Sequence, residues 1–140
     1  MKKLLNLSLF YFICAMVGGV FYREFTKYMG FTGRTTLALV HVHLLVLGTL
    51  LFMILTLFCR NTDLQNNRKF KLFIVLYNIG LPLMVIMLVI RGVIQVLELQ
   101  LSKGANAAVS GIAGIAHIII TVALVIMFLA LKSIITKCES

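Results

Sequence analysis

Charge is the first thing that this sequence of 140 residues lacks: 12% of its residues are charged, whereas 61% are hydrophobic. A water-soluble domain of this length needs a larger polar surface. The composition therefore excludes an ordinary soluble protein and indicates one that lipid solvates. The net charge of +9 indicates contact with anionic lipid, and the chain offers no soluble basic face for a nucleic acid.

Acidic residues are scarcer still, with four in the whole chain. None lies deep in a long apolar stretch, and Glu98 stands near the outer end of the predicted third helix. Because transporters coupled to protons or sodium usually need a buried carboxylate, this absence disfavours that class. The sequence also lacks a glycine-rich phosphate loop and a recognisable pairing of nucleophile and base, so nothing in it indicates an enzyme.

Cysteine and proline are rare as well. The three cysteines, Cys14, Cys59 and Cys138, are odd in number, which argues against a disulfide framework and favours small packing side chains. No Cys-x-x-Cys-His motif for covalent haem attachment is present. The single proline, Pro82, predicts a kink in the third apolar run.

Four long apolar runs make up most of the chain, at residues 4–21, 37–58, 72–90 and 105–131. A bilayer core requires roughly 20 apolar residues per helix, and neither the length nor the periodicity of the runs suits barrel strands. The chain is thus predicted to be a single all-α domain, an integral membrane four-helix bundle. Its spans are expected at about 4–25, 35–58, 71–99 and 107–135.

Lysine and arginine are unevenly distributed between the two ends of this bundle. Eight of the 13 lie on the side of the termini and five on the opposite side. Since basic residues accumulate in cytoplasmic loops, both termini are predicted to be cytoplasmic, in a bacterial-type cytoplasmic membrane. The basic start of the first run also fits a cleaved signal peptide, but no clean small-x-small site follows it, which favours a retained helix.

Three histidines remain as polar candidates inside the predicted spans: His41, His43 and His117. Successive helical residues turn by about 100°, so His41 and His43 point about 200° apart and leave opposite sides of the second helix. They cannot hold one ion together, which argues against a three-histidine zinc or copper site. Counted from the start of their spans, all three fall within roughly 5 Å in depth, which fits a shared plane of ligands.

Small residues surround His117 on the predicted fourth helix. They are Ser110, Gly111, Ala113, Gly114 and Thr121. Such a surface leaves a flat slot that suits a planar macrocycle, and it equally suits close packing against another helix.

Arg91, Gln95 and Glu98 form a polar stripe near the outer end of the third helix. One expectation is that Arg91 pairs with Glu98 or reaches the interface. The functional alternative is that Arg91, Arg34 or Arg23 binds the propionates of a haem in the outer half of the membrane, since arginine makes bidentate contacts with carboxylates.

The stretch HVHLLVLG, residues 41–48, resembles the His-x-His signature of subunit I in haem-copper oxidases and nitric oxide reductases. In that superfamily the two histidines leave opposite faces of one helix and bind different haems, and twelve helices form three four-helix arcs. The chain is similar to one such arc, like the small four-helix bacterial membrane proteins related to the superfamily. The resemblance implies that His41 and His43 occupy haem-ligating positions.

The resemblance also bears on how the chain assembles and on which activity it is expected to lack. A single arc that closes a ring implies a homotrimer, in which His41 of one subunit faces His43 of its neighbour across a haem. The other arrangement is a haem held within one subunit by His43 and His117; both give b-type haem with two histidine ligands. The copper site of the oxidases needs further histidines, including a sequential pair, and this sequence has none, so oxygen reduction is not expected.

Three functional hypotheses follow. The first, which we favour because ionisable residues inside a membrane are functional as a rule, is a membrane protein that binds haem b and serves in electron transfer or haem-linked redox or gas sensing. The second is a small transporter of a transition metal or solute, or a channel-like bundle, that uses the same histidines. The third is a structural or accessory protein in which the histidines form hydrogen bonds between helices.

Overall fold

The computed structural model describes residues 2–138 of the chain, and their side chains as far as residue 136. Within that part there are four long helices and no strand, and each helix is long and apolar enough to cross a membrane. They are α1 (Lys2–Tyr28), α2 (Leu37–Asn61), α3 (Arg68–Val96) and α4 (Lys103–Cys138). The predicted all-α four-helix membrane fold is confirmed, and the ends of the predicted spans differ from these bounds by two to four residues.

Local hydrogen bonds explain where α3 begins and ends. The Asn67 side chain caps its first turn, since Oδ1 accepts from the backbone N–H of Lys69 at 2.8 Å. At the other end the N–H of Leu99 donates to the Ile94 carbonyl at 3.1 Å, which is the pattern of a Schellman motif. Glu98 has a φ of 52° there, the left-handed conformation that the motif requires and that glycine usually supplies.

The helices pack mainly as consecutive neighbours: α1 on α2, α2 on α3, and α3 on α4. Among the described residues, α4 has at most marginal contact with α1 and α2. Glycines allow close approach, since a Cβ added at Gly92 of α3 would lie 2.5 Å from Cγ of Leu37 on α2. The fold is therefore an open arc with α4 at one edge. We call the end where α1 begins the terminal face, and the opposite end, where α2 and α4 begin, the distal face.

An aromatic cluster joins the first three helices in the half nearer the terminal face. Tyr11 of α1 stacks on Phe52 of α2 with ring centroids 5.7 Å apart, and Phe73 and Tyr77 of α3 are 5.0 Å apart. The hydroxyl of Tyr11 donates to Oδ1 of Asn78 at 2.8 Å, so this buried phenol has a partner. The cluster fixes α1 and α3 on the two sides of α2.

Directly after His43, α2 changes to a π-helical segment, Leu44–Leu50, that the sequence did not predict. Hydroxyl groups from both neighbouring helices bond its carbonyls. Ser8 of α1 donates to the Thr49 carbonyl at 2.9 Å, and Tyr77 of α3 donates to the carbonyl two residues earlier at 3.0 Å. Because π turns inside α-helices occur frequently at functional sites, this segment indicates that the histidines beside it belong to a candidate functional site.

The rare residues of the sequence lie within helices. Cys14 is half-buried in α1 and Cys59 is buried in α2, and both thiols are free. The side chain of Cys138 lies outside the described ones. Residues on both sides of Pro82 belong to the same α-helix, and the kink expected there stays a prediction.

Candidate functional site

His41 lies on the side of α2 that faces α1. Both it and His43 belong to the regular α-helical part, Leu37–His43, so their predicted divergence by about 200° applies. A Cβ added at Gly19 of α1 would lie 3.6 Å from the Cβ of His41. Among the described residues, Nδ1 of His41 is the one buried side-chain nitrogen or oxygen without a hydrogen-bond partner. Buried polar atoms are normally paired, so this nitrogen requires an explanation.

His43 is half-buried on the other side of α2, and its Nδ1 lies 2.8 Å from the carbonyl oxygen of Leu39. A carbonyl only accepts, so Nδ1 carries the hydrogen in this bond and Nε2 keeps its lone pair. Metal-ligating histidines typically have one ring N–H held by a carbonyl or carboxylate in this way. The backbone thus prepares Nε2 of His43 as a ligand atom.

His117 has the same arrangement on α4. Its Nδ1 lies 2.7 Å from the carbonyl oxygen of Ala113, and its own carbonyl accepts from Thr121 at 2.8 Å. The side chain is exposed on a helix that is long and apolar enough to span the membrane. In such a place an exposed Nε2 faces lipid or another protein rather than water, so lipid alone leaves it unpaired.

Contacts between helices give the relative depths of the histidines. Gly80 of α3 lies against Ile120 of α4, and Gly92 of α3 lies against Leu37 of α2. This register places His117 roughly one helical turn, about 5 Å, nearer the terminal face than the pair on α2. Within the described part of the chain no group of three or more His, Cys, Asp or Glu side chains could hold a metal ion. The histidines of α2 and α4 are therefore separate positions and do not form one cluster.

Arg91 extends from α3 to α4. Its Nη1 donates to Oδ1 of Asn106 at 2.6 Å, and its Nη2 donates to Oγ of Ser110 at 2.7 Å. The expected ion pair with Glu98 is not formed, because Glu98 lies beyond the end of α3 in the left-handed cap position. Ser110 and His117 are seven residues apart and share one face of α4, so Arg91 lies at the distal end of the surface that carries His117.

The other predicted polar residues are not brought together. Oε1 of Gln95 accepts from the backbone N–H of Thr36 at 2.8 Å, so Gln95 does not pair with its neighbours on the predicted stripe. Arg34 is exposed and lines a cavity of about 420 Å³ at the distal face. Arg23 is exposed on α1, where its Nε lies 3.7 Å from a carboxylate oxygen of Glu24.

Sequence reasoning missed two residues that position the start of α2. Thr35 Oγ1 donates to the Gly92 carbonyl at 3.0 Å, and Thr36 Oγ1 donates to the Leu88 carbonyl at 2.8 Å. Threonine directly before an apolar run is a signal for the beginning of a helix, and it could have indicated this junction. The two bonds hold the first turn of α2, and hence the histidines one to two turns later, against α3.

Comparison with known proteins gives a family but no activity. No curated protein and no solved structure matches the sequence. One family matches over residues 1–134, a stretch that includes the three histidines and the arginines discussed above. The chain belongs to this family, which is described as "Protein of unknown function (DUF2871)".

Proposed function

We propose that the protein binds b-type haem through its intramembrane histidines and serves in electron transfer or haem-linked sensing. The observation that carries the proposal is the anchoring of His43, whose Nδ1 lies 2.8 Å from a carbonyl of its own helix. His117 is anchored in the same way at 2.7 Å and is the alternative ligand. Each ring thereby presents the lone pair of Nε2 in a region where lipid offers no hydrogen bond. A haem iron is a partner for that lone pair.

His41 supports the same proposal through its buried and unpartnered Nδ1. An unsatisfied buried polar atom costs about 1–3 kcal/mol, so such an atom is retained only where something offsets the cost. The ring of His41 as a whole is only half-buried, so a haem can reach its other nitrogen, Nε2, and binding there would offset the cost of the unpartnered Nδ1. The residues present on α2 thus fit a haem. His43 has its Nδ1 hydrogen-bonded and its Nε2 free, and on the other side of the helix His41 has an Nδ1 that lacks a partner.

The packing of the helices favours a haem between subunits over one within a subunit. Since α3 lies between α2 and α4, His43 and His117 start from helices that do not pack on each other. Packed helices are about 8–10 Å apart, so these two rings are further from a common iron than neighbours would be. We therefore propose a homo-oligomer, with a homotrimer as the simplest ring of arcs, in which His41 of one subunit and His43 of the partner subunit hold one haem.

The remaining residues orient and bind. The Leu39 carbonyl fixes the orientation and the tautomer of the His43 ring. Arg91 donates two of its five N–H groups to residues of α4, and the remaining groups could bind a haem propionate. Arg34 and Arg23 are further candidates for that contact at the distal face. Haem supplies a one-electron iron couple, and two histidine ligands leave no site for a substrate, which favours electron transfer over chemistry on a bound molecule.

Absorption spectroscopy tests the proposal. Protein purified in detergent, with haem supplied during expression, is expected to show a Soret band that shifts when dithionite reduces it. Protein that stays colourless would overturn haem binding and leave the transporter and structural hypotheses.

Histidine variants then distinguish the two modes of ligation. Haem between subunits predicts that His41→Ala and His43→Ala lose the pigment and that His117→Ala keeps it. Thr56→Val is the matched control, since Thr56 lies on the same helix and bonds only the carbonyl of Phe52 at 2.7 Å. Loss of pigment with His43→Ala and His117→Ala, but not with His41→Ala, would favour ligation within one subunit.

A further inference from the structure

A groove between α1 and α2 opens at the terminal face. It has a volume of about 540 Å³. Its lining residues are Lys2, Leu5, Met53, Thr56, Leu57 and Arg60. Two of the six are cations and none is acidic, so the groove attracts anions.

The cations and the apolar residues occupy different levels of the groove. Lys2 is the first residue of α1, and Arg60 is one residue from the end of α2, so both lie where the spans end. Leu5 and Leu57, one turn further into the spans, are 52% and 61% exposed. Exposed leucines on membrane-spanning helices face hydrocarbon, whereas Lys and Arg at the ends of spans lie at the level of lipid headgroups.

We propose that this groove binds a phospholipid with an anionic headgroup. The phosphate is bound between the Lys2 ammonium and the Arg60 guanidinium, and one acyl chain lies along Leu5, Met53 and Leu57. A guanidinium donates two parallel N–H groups to one phosphate, and an ammonium adds a point charge from the other helix. The apolar wall distinguishes a lipid from a free anion, because it adds binding free energy only when a hydrocarbon chain is attached to the phosphate.

A second groove at the same face supplies a matched control. It has a volume of about 420 Å³ and contains Lys3 and Lys71. Two of its apolar lining residues, Leu4 and Phe70, belong to the core and are 7% and 3% exposed. This groove therefore has the same charge as the first but offers less apolar surface to an acyl chain.

Native mass spectrometry of the full chain, released from nanodiscs of phosphatidylglycerol and phosphatidylcholine, tests the proposal. The protein is expected to retain phosphatidylglycerol in preference to phosphatidylcholine. The double variant Lys2→Gln/Arg60→Gln is expected to lower that retention by about tenfold, since it removes both charged contacts to the phosphate of a lipid whose acyl chain the apolar wall also binds. The double variant Lys3→Gln/Lys71→Gln removes the same charge and is expected to change retention by less than about twofold.

Three outcomes would overturn the proposal. Equal losses in the two double variants would mean that affinity follows the charge of the whole face. Equal retention of the two lipids would remove the requirement for an anionic headgroup. Displacement of the lipid by inorganic phosphate would show that the groove takes a free anion. Circular dichroism and thermal unfolding of both double variants confirm that the fold is retained.

Discussion

Arg91 on α3 and Ser110 on α4 are joined by a hydrogen bond of 2.7 Å, and Asn106 accepts a second bond from the same guanidinium at 2.6 Å. At the opposite end of this pair of helices, Asn67 donates to Ser133 at 2.9 Å. In the part of the chain that the structure describes, these are the side-chain hydrogen bonds that join α3 and its cap residue Asn67 to α4. They hold α4, at one edge of the arc, at both ends of its span.

Arg91→Ala is expected to lower the free energy of unfolding by about 1–2 kcal/mol, because Asn106 and Ser110 lose a charged donor and α4 packs mainly on α3. Thermal unfolding in detergent, followed by circular dichroism, measures the change. Arg23→Ala is the control: Arg23 is exposed, and its contact with Glu24 is of a kind that contributes little. Equal shifts in the two variants would contradict the role given to the contacts with α4.

Glu98→Gly is expected to stabilise the protein by about 0.5–1 kcal/mol, because Glu98 occupies the left-handed position of the cap with a φ of 52°. Glycine adopts that conformation without steric strain. Glu98→Ala is the control that removes the carboxylate but keeps the Cβ. If the alanine variant gained as much as the glycine variant, the gain would come from the loss of charge rather than from the backbone.

The spans and the directions of the two α2 histidines could be predicted from the sequence, since both depend on local properties. An apolar run of sufficient length is helical in lipid, and the angle between His41 and His43 depends only on the turn between them. The predicted positions of the helix ends were less accurate, because capping side chains determine where a helix begins, as Asn67 does for α3. The spacing rules of a single helix thus account for the spans and for the directions of these two side chains.

The partners of Arg91 and the π-helical segment could not be predicted in the same way. Spacing along one helix proposed Glu98 as the partner of Arg91, whereas Asn106 and Ser110 belong to another helix. The π-helical segment accompanies hydroxyl groups that reach it from α1 and α3, and the sequence of α2 alone contains no sign of them. Both features depend on contacts between helices, which hydrophobicity does not encode.

Gly48→Ala is expected to destabilise the protein by about 1–3 kcal/mol, because the added Cβ would lie 2.5 Å from Cβ of Tyr11 and force α1 away from α2. Gly111→Ala is the control within α4, where an added Cβ meets nothing within 4 Å and alanine is the better helix former. Thermal unfolding compares the two. A tolerated Gly48→Ala would mean that the π-helical segment yields more easily than its contacts with α1 and α3 indicate.

His41→Leu is expected to act in opposite directions on two properties of the protein. In pigment-free protein it should raise the free energy of unfolding by about 1 kcal/mol, because it removes a buried nitrogen that has no partner among the described residues. In cells supplied with haem it should abolish the Soret band, because the same ring is a proposed ligand. His43→Leu is the matched control: it should lose the pigment without the gain in stability, since Nδ1 of His43 already bonds the Leu39 carbonyl. Absorption spectra and thermal unfolding on the same preparations separate the two effects, and a His41→Leu protein that is more stable yet still pigmented would exclude His41 as a ligand.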